Sequence, residues 1–302
     1  MIEEGGIVMH PYAPEGFFLS TITPEALQRG IDDGDIFQAM CTKCDEFHNL
    51  HVDLGFCRGI IPREEAALGI HEGTTKEYAI LSRVGKPVCF QVLGFDQNGN
   101  ALLSRRSAQA DAKSYFMSAL RAGDIVPGVV QNPSNFGVFC DIGCGVTAMM
   151  RIDRCCISRL QTTADHYAIG QKMFAAIYAI DDDAGLIHLT GRELLGTWEE
   201  NANEFRAGQT VSGTVRSVMP YGVFVELTPN LSGLAEPVPG IAEGDRVSVY
   251  LRSIQYDRHK IKLNILQVLP QQLQPKRLPY RITEGKIEKW EYFPGSTAVT
   301  YF

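Results

Sequence analysis

The stretch "GDIVPGVVQNPSNFGVFCDIG", residues 123–143, decides the fold. It opens on a glycine, runs as an apolar strand and turns through Asn132, Pro133, Ser134 and Asn135. It then returns as a strand in which Val138, Cys140 and Ile142 alternate with Phe139 and Asp141. That alternation predicts one apolar face and one face that carries a phenylalanine beside a carboxylate. Phe136 lies three residues before Phe139 and would face the other way in a regular strand. Gly137 between them allows a bulge or bend that brings both rings to one side.

The same unit occurs twice more. "GDIFQAMCTKCDEFHNLHVDLG" begins at Gly34 and "GQTVSGTVRSVMPYGVFVEL" at Gly208. In each copy a Gly-led strand is followed by an alternating strand ("LHVDL", "VFCDI", "VFVEL"), then a turn with a small-apolar run. A second Gly-led strand, a hairpin turn and a closing strand complete it ("ALLS", "LIHLT", "KIKLNIL"). Five short strands per copy, with turn signals between them, predict small closed barrels rather than βαβ units. The repeat therefore outweighs the two-domain expectation from a length of 302 residues.

The expected organisation is mainly β, with three tandem five-stranded barrels joined by short helices. An N-terminal segment with a short helix covers 1–33; Thr23 is its cap and Pro24 its first helical residue. The first barrel spans 34–104, a linker helix 105–122 and the second barrel 123–190. A second linker helix spans 191–207, with Thr190 and Glu193 in capping-box spacing. The third barrel spans 208–268, and a tail at 269–302 forms a β-hairpin about Glu284 and Gly285. Trp198, in the second linker, packs against a barrel.

The formal charge of −7 argues against indiscriminate binding to polyanions, but it is unevenly spread. Residues 1–206 hold 17 Lys+Arg against 27 Asp+Glu, a net −10; residues 207–302 hold 11 against 8, a net +3. Basic character is thus C-terminal, in Arg258, Lys260, Lys262, Lys276, Arg277, Arg281, Lys286 and Lys289. There is no membrane-length apolar run and no charged-then-apolar leader, so the expected location is cytoplasmic. Eight cysteines in a chain this long do not make a disulfide scaffold. Cys41 and Cys44 sit three apart in a strand, which points them to opposite faces, and no second ligand pair completes a zinc site. No metal, cofactor or small-molecule substrate is expected. "DDDAG" at 181–185 lacks the Gly and Glu of a calcium loop. "RVGKPV" at 83–88 lacks the rest of a phosphate loop. Nothing assembles a nucleophile, base and oxyanion donor, so no enzyme is expected.

The copies resemble the S1 RNA-binding domain, a five-stranded OB-fold barrel, from about Gly34 to Leu266. "NFGVFCDIG" and "PYGVFVEL" carry the most specific part of the resemblance. "LLGTWEENANEF" and "GVFVELTPNLSGLAEP" are similar to shorter bacterial S1-like proteins of translation. In that family RNA meets a barrel face made of two aromatics, a histidine, an aspartate and an arginine. The resemblance implies the aromatic roles for Phe136 and Phe139 and the aspartate role for Asp181 in the second copy, where Arg151 holds the histidine position, Leu186 the arginine position, and His188 follows on the same face. In the third copy it implies Tyr221, Phe224, Asp257 and Lys260, with Lys262 beside them; Glu236 replaces the histidine. The first copy departs most: His48 and His51 hold the aromatic positions, Pro62 the histidine position and Asn100 the arginine position, so weaker binding is expected there.

Flat rings stack bases of any identity, which suits a sequence-tolerant platform; the alternative is that a ring covers the barrel mouth or packs on a linker. The implied partners are single-stranded RNA, mRNA above all, and the small ribosomal subunit. The alternative function is a protein-interaction adaptor that docks on the ribosome or an RNA-processing complex, consistent with the acidic residues 1–206.

Overall fold

The computed structural model describes residues 11–17, 21–270 and 277–302. The first barrel is closed by β1 (Phe37–Cys44), β2 (Leu50–Asp53), β3 (Arg58–Ile61), β4 (Pro87–Phe95) and β5 (Ala101–Ser104). The second uses β6 (Ile125–Pro133), β7 (Gly137–Asp141), β8 (Thr147–Arg151), β9 (Lys172–Asp181) and β10 (Leu186–Thr190). The third uses β11 (Thr210–Met219), β12 (Gly222–Thr228), β13 (Leu231–Ala235), β14 (Arg246–Gln255) and β15 (Lys260–Leu269). All three share one cyclic order, in which the third and fifth strands run parallel; in the first and third barrels every other neighbour is antiparallel. This is the mainly β, three-barrel architecture that the repeat implies.

The alternation read from the sequence builds the interiors. In the first barrel Leu50, Val52, Ile61, Val88, Phe90 and Leu103 are buried; in the third, Val215, Val223, Val225, Val247, Val249 and Leu263 are. Each such side chain contributes about 1.5–3 kcal/mol by leaving water. Cys41 belongs to the first core, whereas Cys44 is half-buried at the end of β1, beyond a register shift between Cys41 and Lys43.

The chain divides into two compact units. One holds residues up to 120 with 127–129 and 140–148; the other holds 121–126, 130–139 and everything from 149. In the first unit, α1 (Pro24–Asp33) starts at Thr23, whose side chain accepts from the Ala26 N–H, and ends at Gly34 in the left-handed region. A short α2 (Tyr78–Leu81) precedes β4, and α3 (Arg105–Ala119) begins at its cap Ser104. The buried Arg105 donates from Nε and Nη2 to both carboxylate oxygens of Glu15, at 2.6 and 2.9 Å.

Asp141 departs from the expectation that it shares an outer face with Phe139. It is buried, because its carboxylate caps the turn that follows β7, accepting from the Gly143 and Gly145 N–H groups at 2.8 and 3.0 Å. The Glu15 N–H, at 2.7 Å, donates to its other oxygen. Burial, reinforced by the charge of Glu15, pushes Asp141 up to about 7.

In the second unit α4 (Ile152–Cys155) follows β8 directly. The linker at 191–207 is not one helix. Arg192–Leu195 make a 3₁₀ turn, Gly196 breaks it at φ +83°, and only Trp198–Ala202 form α5. The capping box lies at Thr197 and Glu200, not at Thr190 and Glu193; Glu193 is instead buried and bonded to Thr190 and Thr300. Trp198 is buried in the third barrel's hydrophobic cluster with Trp290 and Tyr292.

The tail does form a hairpin, but its arms are β16 (Lys289–Glu291) and β17 (Val299–Tyr301). The turn lies at 293–296, where the Ser296 N–H donates to the Phe293 carbonyl, and not at Glu284–Gly285. Among the described residues no helix is long and apolar enough to cross a membrane.

Candidate nucleic-acid interface

Strand register equates positions across the barrels. In the third barrel Phe224 on β12 lies opposite Leu234 on β13, and Leu234 lies beside Lys262 on β15. These three side chains form one outward row across the parallel seam. The first barrel has the same row as His51, Ile60 and Leu102. In the second, Met149 lies beside His188 across the seam, and Phe139 occupies the β7 place. Lys260 and Leu186 sit two residues before Lys262 and His188, on the same outward face.

A second ring extends the row in two barrels. Phe136 is 57% exposed and lies in the bend before β7; Tyr221 is 66% exposed and lies in the turn before β12. Their partners Phe139 and Phe224 are half-buried. Ring centroids are 5.9 Å apart at 78° for Phe136 and Phe139, and 6.3 Å apart at 87° for Tyr221 and Phe224. The pairs are therefore edge-to-face, not a coplanar shelf. Both rings share a side because the first lies in the bend and not in the strand. Gly137 does not serve as a bulge in left-handed backbone: a Cβ there would stand 2.5 Å from the Met150 carbonyl oxygen. At Gly222 a Cβ would stand 2.7 Å from that of Ala235. The glycine is needed because two strands approach too closely for a side chain.

The polar positions differ in availability. Arg151, at the end of β8, is exposed and paired with Asp153 at 2.9 Å. Asp181 closes the β9–β10 hairpin, accepting from the Ala184 N–H at 2.9 Å. Asp257 is exposed in the turn before β15, 3.7 Å from Arg258. Lys260 and Lys262 are exposed and make no ion pair among the described residues. Of the remaining basic run, Arg281 pairs with Glu204 and Lys289 with Glu291, Arg277 and Lys286 are exposed, and Lys276 lies outside the described residues.

In the first barrel both imidazoles are held by carboxylates. His48, in left-handed backbone, bonds Glu77 at 2.9 Å, and His51 bonds Asp45 at 3.0 Å. Desolvation acts to raise the Asp45 carboxyl, but hydrogen bonds from His51, Asn49 and Phe47 hold it down at about 2. The exposed ring at this tip is Phe47, which the three-residue spacing of the histidines concealed. Arg159 also escaped the sequence reading: it is exposed after α4, in a segment with neither alternation nor a flanking aromatic motif.

No protein-family model matches the chain. It is 27% identical over 265 residues to small ribosomal subunit protein bS1 of Staphylococcus epidermidis, covering 82% of this chain and 65% of that one. It is 26% identical over 261 residues to the bS1 homolog of Bacillus subtilis, covering 81% and 66%. The chain thus spans just under two thirds of the length of these relatives. A solved multidomain protein with nucleic acid binding domains from Streptococcus pneumoniae matches over 77% of this chain and 73% of its own, at 14% identity and a TM-score of 0.28. The repeated unit, the three closed barrels with one strand order, and the sequence similarity along four fifths of the chain make this a chain of three tandem OB-fold barrels that is similar to bS1.

Proposed function

We propose that the chain binds single-stranded RNA on the outer rows of its second and third barrels and holds mRNA for translation. The observation that carries this reading is the row Phe224–Leu234–Lys262 with the exposed Tyr221 at its end. It sets aromatic faces for bases beside an unpaired cation for phosphate, the combination that grips a single strand without reading its sequence. The second barrel supplies Phe136, Phe139, Arg151 and His188 in matching places, while Asp181 acts through the turn it closes and Asp257 from its exposed place before β15. Similarity to proteins named for the small ribosomal subunit supports translation as the setting and that subunit as a partner. The chain acts as a binder and not as an enzyme, in the cytoplasm.

For the first barrel a second reading is favoured. Its imidazoles are engaged by carboxylates, and Tyr78, Leu81 and Val84 form a run of exposed apolar side chains. That barrel serves as a protein-docking module and adds little to RNA affinity.

A fluorescence anisotropy titration with a labelled single-stranded RNA oligomer, at two salt concentrations, tests the main reading. Saturable binding that weakens with salt is expected. Absence of binding at low salt would reject it and leave the adaptor role for the whole chain.

A further inference from the structure

Two clefts in the second unit meet at residues 157–159, just after α4. One, of about 340 Å³, has Phe224 and Ser217 in its wall; the other, of about 420 Å³, has Ile152 and Asp153. Ile157, Ser158 and Arg159 line both. One cleft reaches a platform ring, and the other reaches residues bonded to the second platform. Phe224 is itself a platform ring, while the Ile152 N–H donates to the Phe136 carbonyl at 2.9 Å and Asp153 pairs with Arg151. The two clefts thus join, through Ile157, Ser158 and Arg159, the segment bonded to Phe136 with Phe224.

The charges along this path are unequally committed. Arg216 gives its guanidinium to Glu226 at 2.8 Å and Asp165 at 2.6 Å, and Arg192 bonds Glu193 at 3.0 Å. Arg159 is exposed and makes no ion pair among the described residues. The cleft beside Phe224 also holds an unspent polar group: Ser217 is 6% exposed and its Oγ has no hydrogen-bond partner among the described residues. A serine hydroxyl has three staggered positions, and one turned to the cleft offers a donor and an acceptor to a base edge.

We propose that the two clefts form one RNA track joining the second and third aromatic platforms, with Arg159 as the phosphate contact between them. The proposal rests on the reading that the platforms bind RNA. A polyanion suits the path because Arg159, uncommitted among the described residues, stands between the two aromatic platforms. The consequence is that affinity depends on length. A strand long enough to occupy both platforms must pass Arg159, whereas a strand held by one platform need not.

The test uses the full chain with RNA oligomers of about 4 nucleotides, the short end of what one OB barrel covers, and of about 30, more than one barrel covers. Arg159→Ala should weaken the long oligomer about three- to tenfold, the value of a charged hydrogen bond discounted for solvent exposure, and leave the short one nearly unchanged. It should also lower the log–log salt slope for the long oligomer by about 0.7. Arg159→Glu should do more in the same direction. The melting temperature should not move, since the side chain is exposed. Equal losses on both lengths would overturn the track, as would an unchanged long-oligomer affinity in a protein that Tyr221→Ala still weakens. If Tyr221→Ala and the platform phenylalanine substitutions also change nothing, the platforms themselves are at fault, and the track falls with them.

Discussion

Replacing Phe136 and Phe139 together by alanine should weaken RNA binding by about 1–3 kcal/mol, the value of one stacked base. The count is one base and not two because of the geometry. The rings stand 78° apart with centroids 5.9 Å apart, so a base lying flat on one meets the edge of the other. In affinity this is about five- to 150-fold. The single variants should be non-additive, since each ring positions the other and their contact is itself worth about 0.5–1.5 kcal/mol. Stability should fall by far less than for a core phenylalanine, where removal costs about 3–5 kcal/mol. Phe136 is mostly in solvent and Phe139 half-buried, while the neighbouring Val138 and Cys140 carry the interior. Anisotropy titrations at matched salt, with thermal melts of each variant, give both quantities. A folded double variant with wild-type affinity would refute the stacking argument. A double variant that fails to fold would show that the rings are core.

Lys262→Ala should lower the salt slope of RNA binding by about 0.7 and Lys260→Ala by less, because register places only Lys262 beside the Phe224 row; equal effects would mean that the row does not define the strand path. Gly137→Ala and Gly222→Ala should each destabilise by more than about 2 kcal/mol in denaturant titrations, since each Cβ would meet a backbone oxygen that cannot step aside; a near-neutral result would refute the close-approach account. Asp141 is held at about 7 against an ordinary 3.8, so the folded state favours its protonated form and the corresponding stability is lost as pH rises through that interval. Asp141→Asn, which does not titrate, should remove that fall in melting temperature while lowering stability overall; parallel pH curves for the two proteins would disprove it.

The barrels were legible because glycine-led strands with period-two alternation recur in one order, and tertiary packing only had to close what local pattern had laid out. Phe139, Phe224 and Lys262 were legible for the same reason, since a regular strand fixes which side chains share a face, whereas Phe136 and Tyr221 are placed by the bend or turn before the strand. The misreadings fall where backbone groups override side-chain pattern. Asp141 has the outward parity of Phe139, but two turn N–H groups and that of Glu15 draw it inward. Thr190 and Glu193 have capping-box spacing, but the break at Gly196 hands the cap to Thr197 and Glu200. Arg159 is one arginine in an aperiodic connection, and only the meeting of two clefts gives it a role.

The shared register makes the outer row a socket whose contents are interchangeable. Ile60 and Leu102 occupy the places of Leu234 and Lys262 on the same strands, and the interior of each barrel is built by the opposite parity. Exchanging row residues between barrels therefore alters what a barrel can hold while leaving the interior side chains untouched. Placing a phenylalanine at His51 and a lysine at Leu102 would write the third barrel's chemistry onto the first. Such a chain would report how many equivalent sockets one strand of RNA can engage at once.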